Sequence, residues 1–438
     1  MKTDSFAPTR RGFLTLAAGA GALAAAGSAR QARAQVATKA RILILGAGAA
    51  GSALANRLTD RLDGAEITLV DGRKEHWYQP GFSLIAAGLK PPSYSVSRTT
   101  KWLPSGVTLK EDWAAEIDPE AKTVALQSGE TLEYDYLIVA TGLVLDHDAI
   151  EGFSLDMVGE NGIGALYAGP DYAHRTWQAA SRFIEEGGQG LFTRPGTEMK
   201  CAGAPIKHTF LVDDLARRAG TRGNMEIAYA ANNDSLFGVP IVAEKVRMLF
   251  GQRGIEANYS EVLQSIDPGK KVATFAGTNG TVERDYDYIH VIPPQRAPDV
   301  VRQSGLSWAD KWTDQGWVEV DKHSLRHLRY PEVFAVGDVA GVPKGKTAAS
   351  VKWQVPVIEE QLVAQIAGET TDAAFNGYTS CPMITQVGRA MLIEFDYNNN
   401  LVPSFPGVIA PLEELWVSWL MKEVALKATY NAMLRGKA

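Results

Sequence analysis

Apolar runs and helical stripes mark out the skeleton of this chain before any single residue is considered. Residues 41–45 (Arg-Ile-Leu-Ile-Leu) are apolar after the first position, the pattern of a parallel strand buried on both faces. Residues 52–62 place Ala53, Leu54 and Leu58 on one side of a helix, and residues 66–70 (Glu-Ile-Thr-Leu-Val) form a second strand. Strand patterns recur at 107–109, 122–126, 134–139, 189–194, 334–336 and 389–395, with a turn at Asp118-Pro119. Helical periodicity returns at 206–218 and after 344–350, where Pro356 is expected to kink the helix. From 411 to 438 the apolar positions Leu412, Leu415, Trp416, Trp419, Leu420, Val424, Tyr430, Met433 and Leu434 keep helical spacing. Strands alternating with helices predict an α/β fold.

The link between the first strand and helix is Gly46-Ala-Gly-Ala-Ala-Gly51, and Asp71 follows the second strand. In that context the glycines read as a dinucleotide fingerprint: Gly46 for the tight turn, Gly48 for close approach to a pyrophosphate, Gly51 for helix–strand packing. The helix N-terminus favours the phosphates, and Asp71 accepts hydrogen bonds from the adenosine ribose. Two further strand ends carry signals of the same site, Thr141-Gly142 and Gly337-Asp338, and an aromatic loop, residues 76–81, follows Asp71. In flavoproteins with two dinucleotide domains these strand ends converge on one cofactor, so FAD is expected in the first domain. Asp338 would reach its ribityl chain. Residues 344–350 open a helix whose N-terminus, with Lys346 and Thr347, is expected at the pyrimidine end of the flavin; a solvated Lys346 is the competing reading.

The expected architecture is therefore two Rossmann-like dinucleotide-binding domains, the second inserted in the first, plus a C-terminal segment. Residues 36–150 and 305–368 form the FAD-binding domain, 151–304 the second domain, and 369–438 the segment carrying Cys381. At 438 residues, 45% hydrophobic and 21% charged, the chain has the length and composition for such an arrangement. The second domain lacks the nicotinamide signature. After its strand at 189–194 come Pro195-Gly-Thr-Glu-Met-Lys-Cys201 rather than the pyrophosphate-cradling glycines, so electrons are expected to enter by another route than NADH.

Residues 1–34 read as a signal rather than as fold. Arg10 and Arg11 precede the weakly hydrophobic run 12–29, and Ala32-Arg-Ala34 offers a cleavage site. This pattern resembles a twin-arginine export signal, which puts the protein in the periplasm; a retained anchor is the alternative. The whole chain carries a net charge of −6, and those residues hold five basic side chains against one acid. The remainder is more acidic still, which gives no support for nucleic-acid binding.

Cys201 and Cys381 are the two cysteines. They offer no metal site, with no histidine pairs nearby. Cys201 lies just before a helix N-terminus and close to Lys200 and Lys207, with Pro205 expected at the first helical position, so its thiol should ionise easily. A structural disulfide joining the C-terminal segment to the second domain is the other reading, and the oxidising compartment permits it.

The segments Lys200-Cys-Ala-Gly-Ala-Pro205, Tyr378-Thr-Ser-Cys-Pro382, Lys346-Thr-Ala-Ala349, Glu394-Phe-Asp-Tyr397 and Met433-Leu-Arg-Gly436 resemble those of sulfide:quinone oxidoreductases, especially the branch with the mitochondrial enzymes. The likeness runs from about Arg41 to Gly436. It implies that hydrosulfide attacks a Cys201–Cys381 disulfide, leaving a persulfide on Cys381 and a thiolate on Cys201. That thiolate adds to the flavin, two electrons pass to FAD, and a quinone takes them on; the sulfane sulfur leaves on an acceptor or as polysulfide. The chain ends at Ala438 without the longer hydrophobic C-terminus of the mitochondrial branch, which argues against strong membrane anchoring. The tail at 411–438 is then either a helix packed on the protein's own core or an interfacial helix with Trp416 and Trp419 on one membrane-facing stripe. Two alternatives to the quinone reading remain. One is a flavocytochrome-type sulfide dehydrogenase that reduces cytochrome c; the other is a non-catalytic exported flavoprotein in which the cysteines staple the fold.

Overall fold

The computed structural model describes residues 35–438, and the export signal expected at 1–34 lies outside the described residues. Two five-stranded parallel sheets organise it. In the first, the order is Val333–Ala335, Tyr136–Val139, Arg41–Leu45, Glu66–Val70, Thr108–Lys110. Ile42 to Leu45 pair in register with Ile67 to Val70 on one side and with Tyr136 to Val139 on the other, the central position their unbroken apolar run demands. Ile44 is completely buried.

The second sheet runs Ile163–Gly164, Tyr288–His290, Gly188–Thr193, Met225–Ala230, Ile255–Asn258. It is the inserted domain, but its boundary falls earlier than expected. Val144–Leu145 and Gln295–Arg296 pair as the crossing between the domains, and Ala297 and Val301 already belong to the first domain's core. The return therefore begins near residue 297 rather than 305.

Two helices of the first domain aim their N-termini at the same place. Ala49–Arg61 follows the glycine turn, and Ala348–Ala367 continues through Pro356. Buried ion pairs fix the two against each other: Arg61 Nη1 meets Glu359 at 3.0 Å and Glu360 at 2.8 Å, and Arg57 joins Glu359. Such pairs contribute little net stability after desolvation but hold one register, which places the two N-termini.

The C-terminal segment does not stand alone. Thr379–Gln386 and Arg389–Phe395 form an antiparallel hairpin whose apolar face joins the second domain's core. Residues 416–434 are one helical run with a π-helical turn at Met421–Ala425. That turn comes after both tryptophans, which lie three residues apart in the segment Trp416–Leu420 and still differ in exposure. Trp419 is 8% exposed and packs with Leu84, Leu211 and Ile384, whereas Trp416 is 53% exposed; Tyr430, Met433 and Leu434 enter the first domain's core. The tail is therefore anchored in the core by these side chains and leaves Trp416, Val417 and Val424 exposed.

Candidate functional site

One cavity of about 530 Å³ runs between the two domains and beneath the tail. Its walls include the glycine turn at Gly48, Asp71, Thr141, Gly142, Gly337, Asp338, Lys346 and Thr347, so the strand ends expected to converge do so. Gly46 has φ +103°, and a Cβ on Gly51 would lie 1.8 Å from the Gly46 carbonyl oxygen, so these two positions require glycine. The Asp71 carboxylate, 4% exposed, accepts from the backbone N–H of Ala47 at 2.8 Å and of Arg73 at 2.9 Å, fastening the turn to the second strand.

These walls fit FAD. The Thr141 hydroxyl and the Tyr78 hydroxyl are enclosed without a partner among the described residues, donors awaiting a ligand at the cavity wall. Other expected contributors are already engaged. The Gly337 N–H donates to Gln354 at 2.8 Å, and the Thr347 hydroxyl oxygen caps its helix by accepting from Ser350 N–H at 3.1 Å. Lys346 is not solvated: it is 7% exposed, and its Nζ donates to the carbonyls of Asp338 (2.6 Å) and Ala340 (3.1 Å). Burial lowers its pKa to about 8 and raises that of the Asp338 carboxyl.

Cys201 lines this cavity, and Cys381, buried behind the wall in the second domain's core, meets it there, both as free thiols. Cys201 sits in the loop after Gly188–Thr193, at φ 45°, a left-handed conformation that costs a residue with a Cβ and that clusters at functional sites. Three contacts hold it there. Its N–H donates to Lys346 O at 2.9 Å, its carbonyl accepts from Ala204 N–H at 2.8 Å, and the Tyr167 hydroxyl lies 2.8 Å from the same carbonyl. The following helix spans Ala204–Ala219, so Pro205 is its second rather than its first residue. Met199, 5% exposed, packs with Phe82 and Ile85 in the turn where pyrophosphate glycines would stand.

Lys207, buried on the first turn of that helix, places Nζ 3.5 Å from Cys201 Sγ. The hydrogen bond from the Cys381 thiol and this ammonium hold the Cys201 pKa well below the ordinary thiol value, against the effect of burial. The same sulfur–sulfur hydrogen bond, with burial, pushes Cys381 up. Of the two sulfurs, Cys201 is therefore the one that these neighbours favour as the carrier of negative charge. Burial depresses the Lys207 ammonium, but the two sulfurs outweigh it and keep it charged.

Sequence reasoning passed over Lys422. It was one of three basic residues on an amphipathic tail, yet it is 3% exposed, lines the cavity and donates to Pro80 O at 2.7 Å. Burial first, then repulsion from Lys207, lowers its pKa to about 7. Its signal was a lysine lying on the buried stripe of Trp419, Tyr430 and Met433, where an apolar residue belongs. The π-helical turn carries it, a device common at functional sites. His76 was likewise missed. Its Nε2 lies 2.7 Å from the Tyr430 hydroxyl and it also bonds the Ala47 backbone, which links the tail to the glycine turn.

Residues 40–177 match the family described as pyridine nucleotide-disulphide oxidoreductase. The chain is 34% identical over 403 residues to the mitochondrial sulfide:quinone oxidoreductase of Mus musculus, covering 90% of this chain and 86% of that protein. It is 32% identical over 398 residues to the mitochondrial sulfide:quinone oxidoreductase of Dictyostelium discoideum, covering 91% and 86%. The fold matches the crystal structure of sulfide:quinone oxidoreductase from Aquifex aeolicus with a TM-score of 0.75, at 21% identity over 91% of this chain and 92% of that one.

Proposed function

The chain belongs to the sulfide:quinone oxidoreductase family, and we propose that it oxidises sulfide at the Cys201–Cys381 pair, with FAD as cofactor and a quinone as electron acceptor. The observation that carries this reading is the pair of free cysteines in contact, with the buried Lys207 Nζ 3.5 Å from Cys201 Sγ, at the wall of a glycine-lined cavity. In the oxidised enzyme the two sulfurs form a disulfide. Hydrosulfide attacks Cys381, the S–S bond breaks, and Cys201 leaves as thiolate. Lys207 stabilises that leaving group at 3.5 Å, which speeds thiol–disulfide exchange. Lys200, Lys207 and Lys422 line the cavity and favour entry of an anion. FAD, held by the glycine turn, Asp71 and Thr141, supplies two-electron transfer from the cysteine pair to the quinone. The helix N-termini at Ala49 and Ala348 line the same cavity, and their partial positive charge favours an anionic cofactor.

Purified protein is expected to show a flavin spectrum that bleaches with sulfide and recovers with decylubiquinone. NADH should leave it unbleached, because Met199 fills the turn a nicotinamide dinucleotide needs. Rapid bleaching by NADH, or recovery with cytochrome c and not with the quinone, would overturn the assignment.

Contact with a membrane surface is supported by Trp416, Val417 and Val424 exposed on the tail, with half-exposed Trp353 lining the cavity. Trp416→Ser is expected to reduce binding to lipid vesicles and to leave stability within about 0.5 kcal/mol of the parent protein. Trp419→Ala, in contrast, should cost about 3–5 kcal/mol. Equal vesicle binding by Trp416→Ser and the parent protein counts against this contact. Export by the twin-arginine route is supported by Arg10, Arg11 and the run that follows. The mouse and Dictyostelium relatives are named as mitochondrial, so this part rests on the leader sequence alone. Replacing Arg10 and Arg11 together by lysine should keep the protein in the cytoplasmic fraction; undiminished periplasmic recovery would sink the export reading.

A further inference from the structure

The hairpin of Thr379–Gln386 and Arg389–Phe395 turns one face to the cavity. Strand alternation puts Ser380, Pro382, Leu392 and Glu394 on that wall, where Ser380 pairs with Glu394 and Pro382 with Leu392. Three of the four are small or apolar. Glu394 is the exception, a carboxylate 3% exposed on a strand whose other buried residues are all apolar.

Burying a carboxylate is costly unless a cation or a full set of hydrogen bonds compensates it. Glu394 has the hydrogen bonds. Its Oε2 accepts from the Ser404 N–H at 2.7 Å, and its Oε1 accepts from the Ser404 hydroxyl at 2.5 Å and from the Tyr378 hydroxyl. All three donors are neutral, so Glu394 can gain and lose a proton without breaking an ion pair with any of them.

The three residues span the distance from solvent to cavity. Ser404 is exposed, Glu394 is enclosed, and Tyr378 is half-buried at the cavity wall with its hydroxyl 3.4 Å from that of Ser404. They join water outside to the cavity through a chain of exchangeable protons. The Tyr378 ring leans on Trp353 with ring centres 5.3 Å apart, and Phe405, next to Ser404, lines the same cavity. Aromatic and aliphatic walls with a few placed polar groups suit a flat, apolar quinone ring. Burial, then the bond to Glu394, pushes the Tyr378 phenol above its ordinary range, so it keeps its proton at neutral pH until another replaces it.

We propose that Glu394 carries protons from solvent to the quinone, taking them through the Ser404 hydroxyl and passing them on through Tyr378. The inference rests on the quinone reading above. Reduction of a quinone to the quinol takes up two electrons, which come from the bound flavin, and two protons. Tyr378 gives its proton to a quinone oxygen and takes the Glu394 carboxyl proton in its place; water then reprotonates Glu394 through Ser404. Two passes complete the quinol and leave all three side chains as they began. Attack of hydrosulfide on the disulfide takes up no proton, so the sulfide half of the reaction makes no use of this path.

The test follows flavin reoxidation by stopped-flow absorbance in holoenzyme already reduced with sulfide. Decylubiquinone takes electrons and protons; ferricyanide takes electrons alone. Glu394→Gln and Tyr378→Phe are each expected to lower the limiting rate with decylubiquinone about 10²-fold, the size of one general-acid contribution, and to affect ferricyanide far less. Formate, a small carboxylate that can carry protons, should restore part of the rate in Glu394→Ala, and Glu394→Asp should keep more of it than Glu394→Gln. Equilibrium binding of decylubiquinone to the oxidised protein, read from tryptophan fluorescence, should match the parent. Equal losses with both acceptors would show damage at the flavin site, and weaker decylubiquinone binding at an unchanged limiting rate would make Glu394 a determinant of pocket shape. Either result overturns the proposal, as does a parent-like rate in both variants. Should Glu394→Gln not hold flavin, Tyr378→Phe decides alone, because it leaves both Ser404 bonds to the carboxylate in place. If the sulfide-reduced parent protein is reoxidised by ferricyanide but never by decylubiquinone, the quinone reading itself fails and this inference with it.

Discussion

Cys201→Ser is expected to lower the rate of flavin reduction by sulfide at least about 10³-fold, and Cys381→Ser to do the same. Cys201 is the sulfur that leaves as thiolate, and Cys381 the sulfur that receives the incoming one, so neither half of the exchange survives alone. The double variant should be little worse than either single one, because residues acting as a unit lose their effect together. Folding is a separate matter. A staple between distant segments contributes about 2–4 kcal/mol, small beside three hydrophobic clusters that extend through both domains. Cys381 is 4% exposed among apolar side chains, so a serine hydroxyl there adds roughly 1–3 kcal/mol of desolvation cost. Cys381→Ala removes that confusion. The measurement is the stopped-flow rate rather than the final bleached spectrum, since sulfide can reach the flavin slowly without the pair. Near-wild-type rates in the cysteine variants, with only a lower melting temperature, would leave the staple reading standing.

The first domain was legible because local and global signals agree there. An apolar run such as Ile42 to Leu45 fits only the middle of a parallel sheet, and the glycine spacing belongs to one turn geometry. The pairing of Cys201 with Cys381 rested on the family resemblance, since no local pattern reports a contact across 180 positions. The tail misled for a related reason. Trp416 and Trp419 share a side by helical spacing, yet Trp416 is the first residue of its helix and is 53% exposed while Trp419 is 8% exposed; the π-helical turn at Met421–Ala425 shifts the count only for the positions after it. Tertiary packing then decides which tryptophan is buried. Lys346 shows the limit of charge statistics: a lysine that looked half solvated is enclosed by two carbonyls and by the face of Trp317, 3.7 Å from its Nζ. Fold class follows from periodicity, while the charge state of a site depends on neighbours brought from far along the chain.

Lys207 tests that last point directly. Lys207→Met keeps the length and apolar body of the side chain but removes the charge 3.5 Å from Cys201 Sγ. Two unit charges at about 4 Å attract by about 4 kcal/mol at an effective dielectric constant of 20. Only the part gained as charge develops on the departing sulfur accelerates exchange, so a loss of ~100-fold in flavin reduction at neutral pH is expected. The pH profile separates this from simple damage. In the parent protein the Cys201 pKa is held well below the ordinary thiol range by the Cys381 hydrogen bond and by Lys207, so the leaving group is a thiolate throughout the neutral range. Without the ammonium its pKa rises, and burial adds to the rise. The rate should then climb with pH and approach the parent value in alkaline solution, and Lys207→Arg should recover much of the neutral rate. Losing Lys207 also removes a repulsion that, after burial, lowers the Lys422 pKa to about 7, so Lys422 should gain charge in the variant and soften the loss. A uniform loss at every pH, with no rescue by arginine, would show that Lys207 serves packing rather than the charge on Cys201.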